Sequence, residues 1–288
     1  MKRLIASTVV VSFATLVCVS ASASQLLNIS TRAIVSQGEI ALIGGFITIG
    51  NAPKRVILRA LGPSLALPDS APPIPDPVLE LHRADGTVVV NDNWRETQEQ
   101  EIMDTGLAPV NDLDSAIVAT LPPGAYTAVL RGKGTSDDGS FGTALVEVYD
   151  LDQAADSILA NISSRGYTLV DHNVMIGGII LGPEGTGDST LVIRGLGPSL
   201  FAHGVSATLY DPTIELFNRD GISVAFNDNW EEGPDAGEIA ALGLNPAVDR
   251  EAALKVTLAA GSYTVVLRGT GVEVNLAGVA LVEAYYLP

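Results

Sequence analysis

The chain holds a single cysteine, Cys18, and it sits in the apolar amino-terminal stretch. Once that stretch is removed, disulfides, cysteine metal sites and a cysteine nucleophile are excluded together. Histidine is nearly as scarce, with only His82, His172 and His203. Basic residues are few: 16 Lys and Arg stand against 33 Asp and Glu, giving a formal charge of −17 and a pI near 4.4. A phosphate-binding face needs a basic stripe, so neither nucleic acid nor an anionic membrane surface is an expected partner. A divalent cation is the more natural guest. Beyond the amino terminus no uninterrupted apolar run reaches the length of a membrane span.

What is present begins with an export signal. Lys2 and Arg3 form a positive start, "LIASTVVVSFATLVCV" is an apolar core, and "ASA" at 21–23 offers the small residues a signal peptidase accepts. Residues 1–23 therefore read as a signal peptide cleaved after Ala23. Val17, before Cys18, is too large for lipoprotein-type cleavage, so no lipid anchor is expected. The mature chain is placed in the periplasm, at the cell surface or in the medium. Loss of Lys2 and Arg3 takes its formal charge from −17 to −19.

Self-comparison organises the remainder, because nearly every segment has a counterpart 133 to 137 residues later. "NISTR" (28–32) answers "NISSR" (161–165), and "IGG" recurs at 43–45 and 176–178. "RALGPSL" (59–65) answers "RGLGPSL" (194–200), and "DPVLEL" (76–81) answers "DPTIEL" (211–216). "NDNW" occurs at 91–94 and 227–230, "GAYTAVLRG" (124–132) answers "GSYTVVLRG" (261–269), and "ALVEVY" (144–149) answers "ALVEAY" (280–285). Two repeats follow, 24–152 and 153–288, joined near "DLDQAADSIL" without a Gly/Ser tether, so their relation is expected to be fixed.

Within each repeat, apolar runs of four to eight residues alternate with Gly, Pro, Asn and Asp clusters, which is the punctuation of strands. In the second copy strands are expected near 173–181, 189–196, 212–217, 222–226, 252–258, 262–268 and 277–286, with a weaker one at 160–166. The fold class is all-β: two tandem antiparallel β-sandwiches, jelly-roll or immunoglobulin-like in layout, from an internal duplication. Each carries one short helix, in "QEQEIMDTGLAP" (98–109) and "AGEIAALGLNP" (236–246), closed by Gly106 or Gly243.

The recurring polar residues have mechanical readings. Tyr126 and Tyr263, two residues after a Gly at a strand start, resemble tyrosine corners. Six arginines form matched pairs: Arg32 with Arg165, Arg59 with Arg194, and Arg131 with Arg268. Arg59 and Arg194 lie in apolar strands where an unpaired guanidinium is expensive, and the recurring Glu80, Glu215, Glu147 and Glu283 are available partners. Such pairs either fix strand register or bind a carboxylate or sugar. The histidines fall at unrelated positions of the two copies, and no H-E-x-x-H, P-loop, G-x-G-x-x-G or nucleophile elbow occurs. A non-catalytic protein is expected.

The two NDNW segments hold both tryptophans, Trp94 and Trp230. Each ends the second arm of a hairpin opened by a D-G turn. Asn and Asp suit such a corner without any ligand, while Asp92 or Asp228 with neighbouring amide oxygens could contribute to a Ca²⁺ shell. The indoles either plug the core or present a platform to a sugar ring.

The ordered set N-x-S-[TS]-R, I-G-G, R-x-L-G-P-S-L, D-P-x-[LI]-E-L, N-D-N-W, G-x-Y-T and A-L-V-E-x-Y resembles an uncharacterised repeat of exported proteins from environmental bacteria, notably Verrucomicrobia and Acidobacteria. More loosely, "IELFNRDGISVAFNDNW…TLAAGSYTVVLRG" is similar to pre-peptidase C-terminal domains, small β-sandwiches appended to secreted enzymes, some of which bind calcium or polymers such as collagen. The likeness implies Asp85, Asn91, Asp92 and Asn93, with Asp220, Asn227, Asp228 and Asn229, as calcium-ligating positions. The expected function is a structural, adhesive or accessory module outside the cell, and the alternative is calcium-dependent or carbohydrate binding to an extracellular polysaccharide or protein surface.

Overall fold

The computed structural model describes residues 24–35, 40–67, 71–134, 141–271 and 276–287. The expected signal peptide, residues 1–23, lies outside them, as does Cys18.

The protein is an almost wholly antiparallel, sandwich-like β structure. In the first half the strands are β1 (Gln25–Val35), β2 (Leu42–Gly50), β3 (Lys54–Leu61), β4 (Pro77–Arg83), β5 (Val88–Asn91), β6 (Ser115–Leu121), β7 (Gly124–Gly132) and β8 (Gly142–Asp150). In the second they are β9 (Ser157–Thr168), β10 (Met175–Gly182), β11 (Ser189–Leu196), β12 (Pro212–Asn218), β13 (Ser223–Asn227), β14 (Ala252–Leu258), β15 (Gly261–Gly269) and β16 (Gly278–Leu287). These fall where the punctuated apolar runs put them. In β4, for example, Leu79 and Leu81 are fully buried while Glu80 between them points outward, the period of two that a half-buried strand requires. Gly86 (φ 82°) and Gly221 (φ 74°) supply the left-handed residue of the D-G turns that close the hairpins β4–β5 and β12–β13.

All 16 strands of the described residues belong to one connected network. It consists of two ribbons. One runs β6, β3, β8, β1, β10, β15, β12, β13, and the other runs β5, β4, β7, β2, β9, β16, β11, β14. The long strands β1 and β9 make the join. β1 lies between β8 of its own half and β10 of the other, and β9 lies between β16 and β2. The first strand of each half thus pairs with the second strand of the other half. β1 and β9 also touch in parallel, Leu26 opposite Leu159 and Ile34 opposite Tyr167, both pairs offset by the repeat spacing. A pseudo-twofold axis therefore runs along these strands. At this crossing a Cβ on Gly166 would lie 2.7 Å from Cβ of Ala33, so a side chain there would force the strands apart.

Two ladders consequently span the boundary at residues 152 and 153, and the interior is continuous. A single buried cluster includes Leu26, Phe46 and Leu130 from one half and Ile179, Leu216 and Leu267 from the other. Two matched satellite clusters lie on the outer faces of the ribbons. Ile57, Ala116 and Val118 are covered by Trp94 and by Ile102 of α1 (Glu99–Asp104). Val192 and Ala253 are covered by Trp230 and by Ile239 of α2 (Ala236–Ala241). Both helices end before a left-handed glycine, Gly106 (φ 71°) and Gly243 (φ 68°), as the sequence requires. Among the described residues no helix is long and apolar enough to cross a membrane.

Candidate functional site

The recurring motifs, scattered along the sequence, come side by side in register. On the outer face of one ribbon Arg59 stands opposite Glu147, Glu147 opposite Ser30, Ser30 opposite Gly178, and Gly178 opposite Thr264. On the other ribbon the row is Arg194, Glu283, Ser163, Gly45, Thr127. Each row crosses from one half to the other.

The arginine end of each row is closed by ion pairing. Arg194 donates from Nε to Glu283 Oε2 (2.9 Å) and from Nη1 to the Leu244 carbonyl (3.0 Å), and its Nη2 also bonds the same carboxylate oxygen. The guanidinium lies 5.1 Å from the Tyr285 ring centroid, and the Tyr285 hydroxyl donates to Glu283 Oε1 (3.1 Å). Arg59, Glu147, Leu107 and Tyr149 repeat the arrangement, with Arg59 Nε 2.9 Å from Glu147 Oε2 and 5.1 Å between guanidinium and ring. Leu107 and Leu244 follow α1 and α2, so each arginine ties a helix to the sheet beneath it. Burial and the adjacent carboxylate push the Tyr149 hydroxyl up to about 12, and the same causes raise Tyr285. Glu80 and Glu215 serve the third arginine pair instead: Glu80 lies 3.4 Å from Arg131 and 2.7 Å from His82, and Glu215 lies 3.7 Å from Arg268. Tyr126 and Tyr263 donate to the Pro122 and Ala259 carbonyls at 2.6 and 3.0 Å, four residues back, which is the bond of a tyrosine corner.

NDNW is a stitched corner in both halves. Asn91 accepts from the Ala116 amide (2.9 Å) and donates to the Asn93 carbonyl (3.0 Å); Asn227 does the same with Ala253 (2.9 Å) and Asn229 (3.0 Å). Trp94 is 2% exposed and donates its indole N–H to the Asn111 carbonyl (3.1 Å), with the Arg95 guanidinium 4.1 Å above the ring; Trp230 is 8% exposed. Neither indole is offered to a sugar. Asp85 accepts from the Thr87 amide and hydroxyl within its own turn (2.9 and 2.6 Å), and the Asp220 amide donates to Asn218 Oδ1 (3.0 Å). Asn91 and Asn227 of the expected calcium set thus point into the corner, Asn93 donates to Glu96 (2.8 Å), and Asp85 and Asp220 serve turns apart from it. Among the described residues no group of three or more His, Cys, Asp or Glu gathers as a metal cluster.

Asp92 and Asp228 have neighbours that sequence reading missed, the aspartates of the two D-P motifs. Lys133 pairs with Asp92 and lies 3.6 Å from Asp76. In the second half Thr270 stands where Lys133 does, since the Thr270 amide donates to the Asp211 carbonyl (2.9 Å) as the Lys133 amide donates to Asp76 (2.8 Å). Asp211 and Asp228 consequently face each other without a lysine. Burial and the Asp228 charge raise the Asp211 pKa, with Arg250 opposing, and an Oδ1 atom of each aspartate is shut off from solvent without a hydrogen bond.

Also missed are two fully buried acids, Asp114 and Glu251. Asp114 Oδ1 accepts from the Gly62 amide (2.8 Å) and its other oxygen bonds Ser64; Glu251 Oε1 accepts from the Gly197 amide (2.9 Å) and from the Ser199 amide (2.9 Å) and hydroxyl (2.7 Å). They lock the two "LGPSL" turns, whose glycines leave no room for a side chain: a Cβ on Gly62 would lie 2.2 Å from the Ile74 carbonyl oxygen. The only sequence signal was an acid just before β6 and β14, blurred because one copy has Asp and the other Glu. The side chains of Arg32 and Arg165, finally, make no hydrogen bond or ion pair among the described residues.

No known family profile matches the chain, and no curated protein does. Among solved structures, a DUF4785 family protein from Legionella pneumophila overlaps 90% of this chain at 11% identity and a TM-score of 0.29. The chain spans 61% of that protein's length. The Sulfolobus Turreted Icosahedral Virus structure overlaps 91% of each chain at 11% identity and a TM-score of 0.23, and the STIV MCP overlaps 91% of this chain and 88% of its own at 12% and 0.22. Scores this low carry no inference about activity.

Proposed function

We propose that the protein is a non-catalytic exported module, a duplicated jelly-roll sandwich that serves as a structural, adhesive or enzyme-accessory unit outside the cytoplasm. The jelly-roll assignment rests on strand order: β1, β8, β3, β6 in one layer and β2, β7, β4, β5 in the other, repeated by β9 to β16. The observation that carries the functional reading is that most polar residues common to both halves, Arg32 and Arg165 apart, are consumed in holding turns, helices and sheets together. Arg59 and Arg194, Asn91 and Asn227, and Tyr126 and Tyr263 each spend their hydrogen bonds on neighbouring chain. To test it, the tagged full chain is expressed in a bacterium, fractionated and sequenced at its amino terminus. A product beginning at Ser24 in the periplasm, at the surface or in the medium, which co-sediments with insoluble polysaccharide or cells, supports the reading. Cytoplasmic retention with residues 1–23 intact, or turnover of glycoside or ester substrates, refutes it.

A second reading, calcium binding, is favoured by one asymmetry. Both halves bring two aspartates together with an unpaired oxygen on each, Asp76 with Asp92 and Asp211 with Asp228, but only the first places an ammonium, Lys133, beside the pair. A cation taking these two carboxylates, with carbonyl and water oxygens completing its shell, fits the oxygen chemistry of Ca²⁺. Binding to the folded form alone raises the melting midpoint. A midpoint equal in Ca²⁺ and in EDTA, for both the wild type and Asp228→Asn, removes this reading.

A further inference from the structure

The matched arginines left over by the ion-pair network stand at the centre of the molecule. Arg165 lies on β9, opposite Leu281 of β16 on one side and Ile43 of β2 on the other. Arg32 on β1 repeats this, between Leu145 and Ile176. Next to each runs the row Ser163, Gly45, Thr127 or Ser30, Gly178, Thr264. Five residues therefore recur around each arginine, drawn from four separate motifs, and none carries a charge to neutralise it. Arg32 is half-buried, and burial alone lowers its pKa, as expected of a guanidinium with no carboxylate against it.

Around Arg165 the surface is hollow. A groove of about 360 Å³ is floored by Ile43, Gly45, Ser163 and Leu281 and walled by Leu200 and His203. A smaller hollow of about 150 Å³ adjoins it on the far side of the same arginine, lined by Gly204 and Ser206. The wall is the 3-10 turn Pro198–His203, held rigid because Glu251 anchors Gly197 and Ser199. Glu283 is the acid nearest along β16, but Arg194, Tyr285 and Ser163 already occupy it. A size of this order suits a small ligand.

We propose that the Arg165 groove binds the carboxylate of a small aliphatic acid. The planar guanidinium fork matches one carboxylate in two parallel bonds, Thr127 lines the groove beside it while the Ser163 hydroxyl stays donated to Glu283, and Ile43, Leu200 and Leu281 receive the hydrocarbon body. One cation among uncharged neighbours suits a monoanion better than a phosphate, which calls for more donors. The site goes beyond the role proposed above, since it requires neither export nor calcium.

The test uses 4-methylpentanoate as probe and 4-methylpentanamide as its uncharged counterpart, titrated into the full mature chain. The ring protons of the three histidines report by NMR, with His203→Gln assigning the one at the groove. The acid should shift the His203 resonances saturably, and the amide should bind about tenfold or more weakly, the worth of a charge-assisted bond. Arg165→Gln should abolish the shift, Arg165→Lys should weaken it, and Arg32→Gln should leave it intact. Equal shifts with acid and amide, a shift that survives Arg165→Gln, or none up to the solubility of the acid overturns the proposal. Unfolding of both Arg165 variants does so too, because an arginine held ready for a ligand is not required by the fold.

Discussion

Removing the guanidinium of Arg194 tests the central structural claim, that the matched arginines Arg59 and Arg194 hold the fold. The Arg194 side chain is 15% exposed and that of Glu283 8%. Arg194→Met leaves a buried carboxylate without its counter-ion, a loss that costs about 3–5 kcal/mol in comparable pairs. Glu283 retains the Tyr285 and Ser163 hydroxyls as donors, which moves the expected cost to the lower end, about 3 kcal/mol. The Leu244 carbonyl also loses its donor, adding on the order of 1 kcal/mol. For a chain of this size the total of about 4 kcal/mol corresponds to a midpoint lower by roughly 8–16 °C. Arg194→Met with Glu283→Leu removes both charges and should recover most of the loss, since an apolar pair of similar volume is close to neutral in such sites. The assay is urea unfolding followed by tryptophan fluorescence, with a constant m-value as the check that the same surface is being exposed. Arg194→Met within about 0.5 kcal/mol of the wild type would refute the reasoning, as would a double variant no more stable than the single one.

Three other outcomes follow from the geometry. Because ladders β1–β10 and β2–β9 and one core join the halves, single-tryptophan variants Trp94→Phe and Trp230→Phe should unfold at coincident denaturant midpoints; two separated transitions would mean that the halves melt independently. The raised tyrosine pKa values make the fold alkali-sensitive. A hydroxyl that titrates near about 12 when folded and at about 10 when unfolded gives stability that is complete below pH 10 and lost between 10 and 12, so stability curves of the wild type and Tyr149→Phe should converge over that window. At the acidic end the sign is the same for Asp211: its raised folded pKa means that stability is lost as pH rises through that pKa and that protonation relieves the fold as pH falls toward the ordinary carboxylate range. In the absence of calcium Asp211→Asn should melt higher than the wild type at neutral pH, and a lower midpoint would contradict the crowding of Asp211 by Asp228.

Strand positions were legible because each run is bounded by turn-forming residues and alternates in burial; β12, expected at 212–217, forms at Pro212–Asn218. The helix ends were legible through Gly106 and Gly243. Half of the Arg–Glu pairing was legible too, since Glu147 and Glu283 were among the candidates, but choosing between them and Glu80 or Glu215 needs register, and register depends on which strands are neighbours. The exchange of β1 and β9 was invisible for a definite reason. "NISTR" and "NISSR" carry almost the same edges, and each "IGG" strand fits either of them, so local pattern cannot say whether β10 pairs with β9 or with β1. Connection geometry decides. Asp76 and Asp211 escaped notice because Pro follows each and draws attention to the turn, while Asp114 and Glu251 escaped because the side chain changed length and kept its task.

Since β1 and β9 meet about a pseudo-twofold axis and exchange partners, the chain is arranged like a dimer whose two subunits have been spliced into one polypeptide. A lone half would expose the flanks of its first and second strands, with their amide and carbonyl groups unmet. A second identical half would cover them in the register already in use. Fusion turns that bimolecular encounter into an intramolecular one, so the assembly holds together at any dilution.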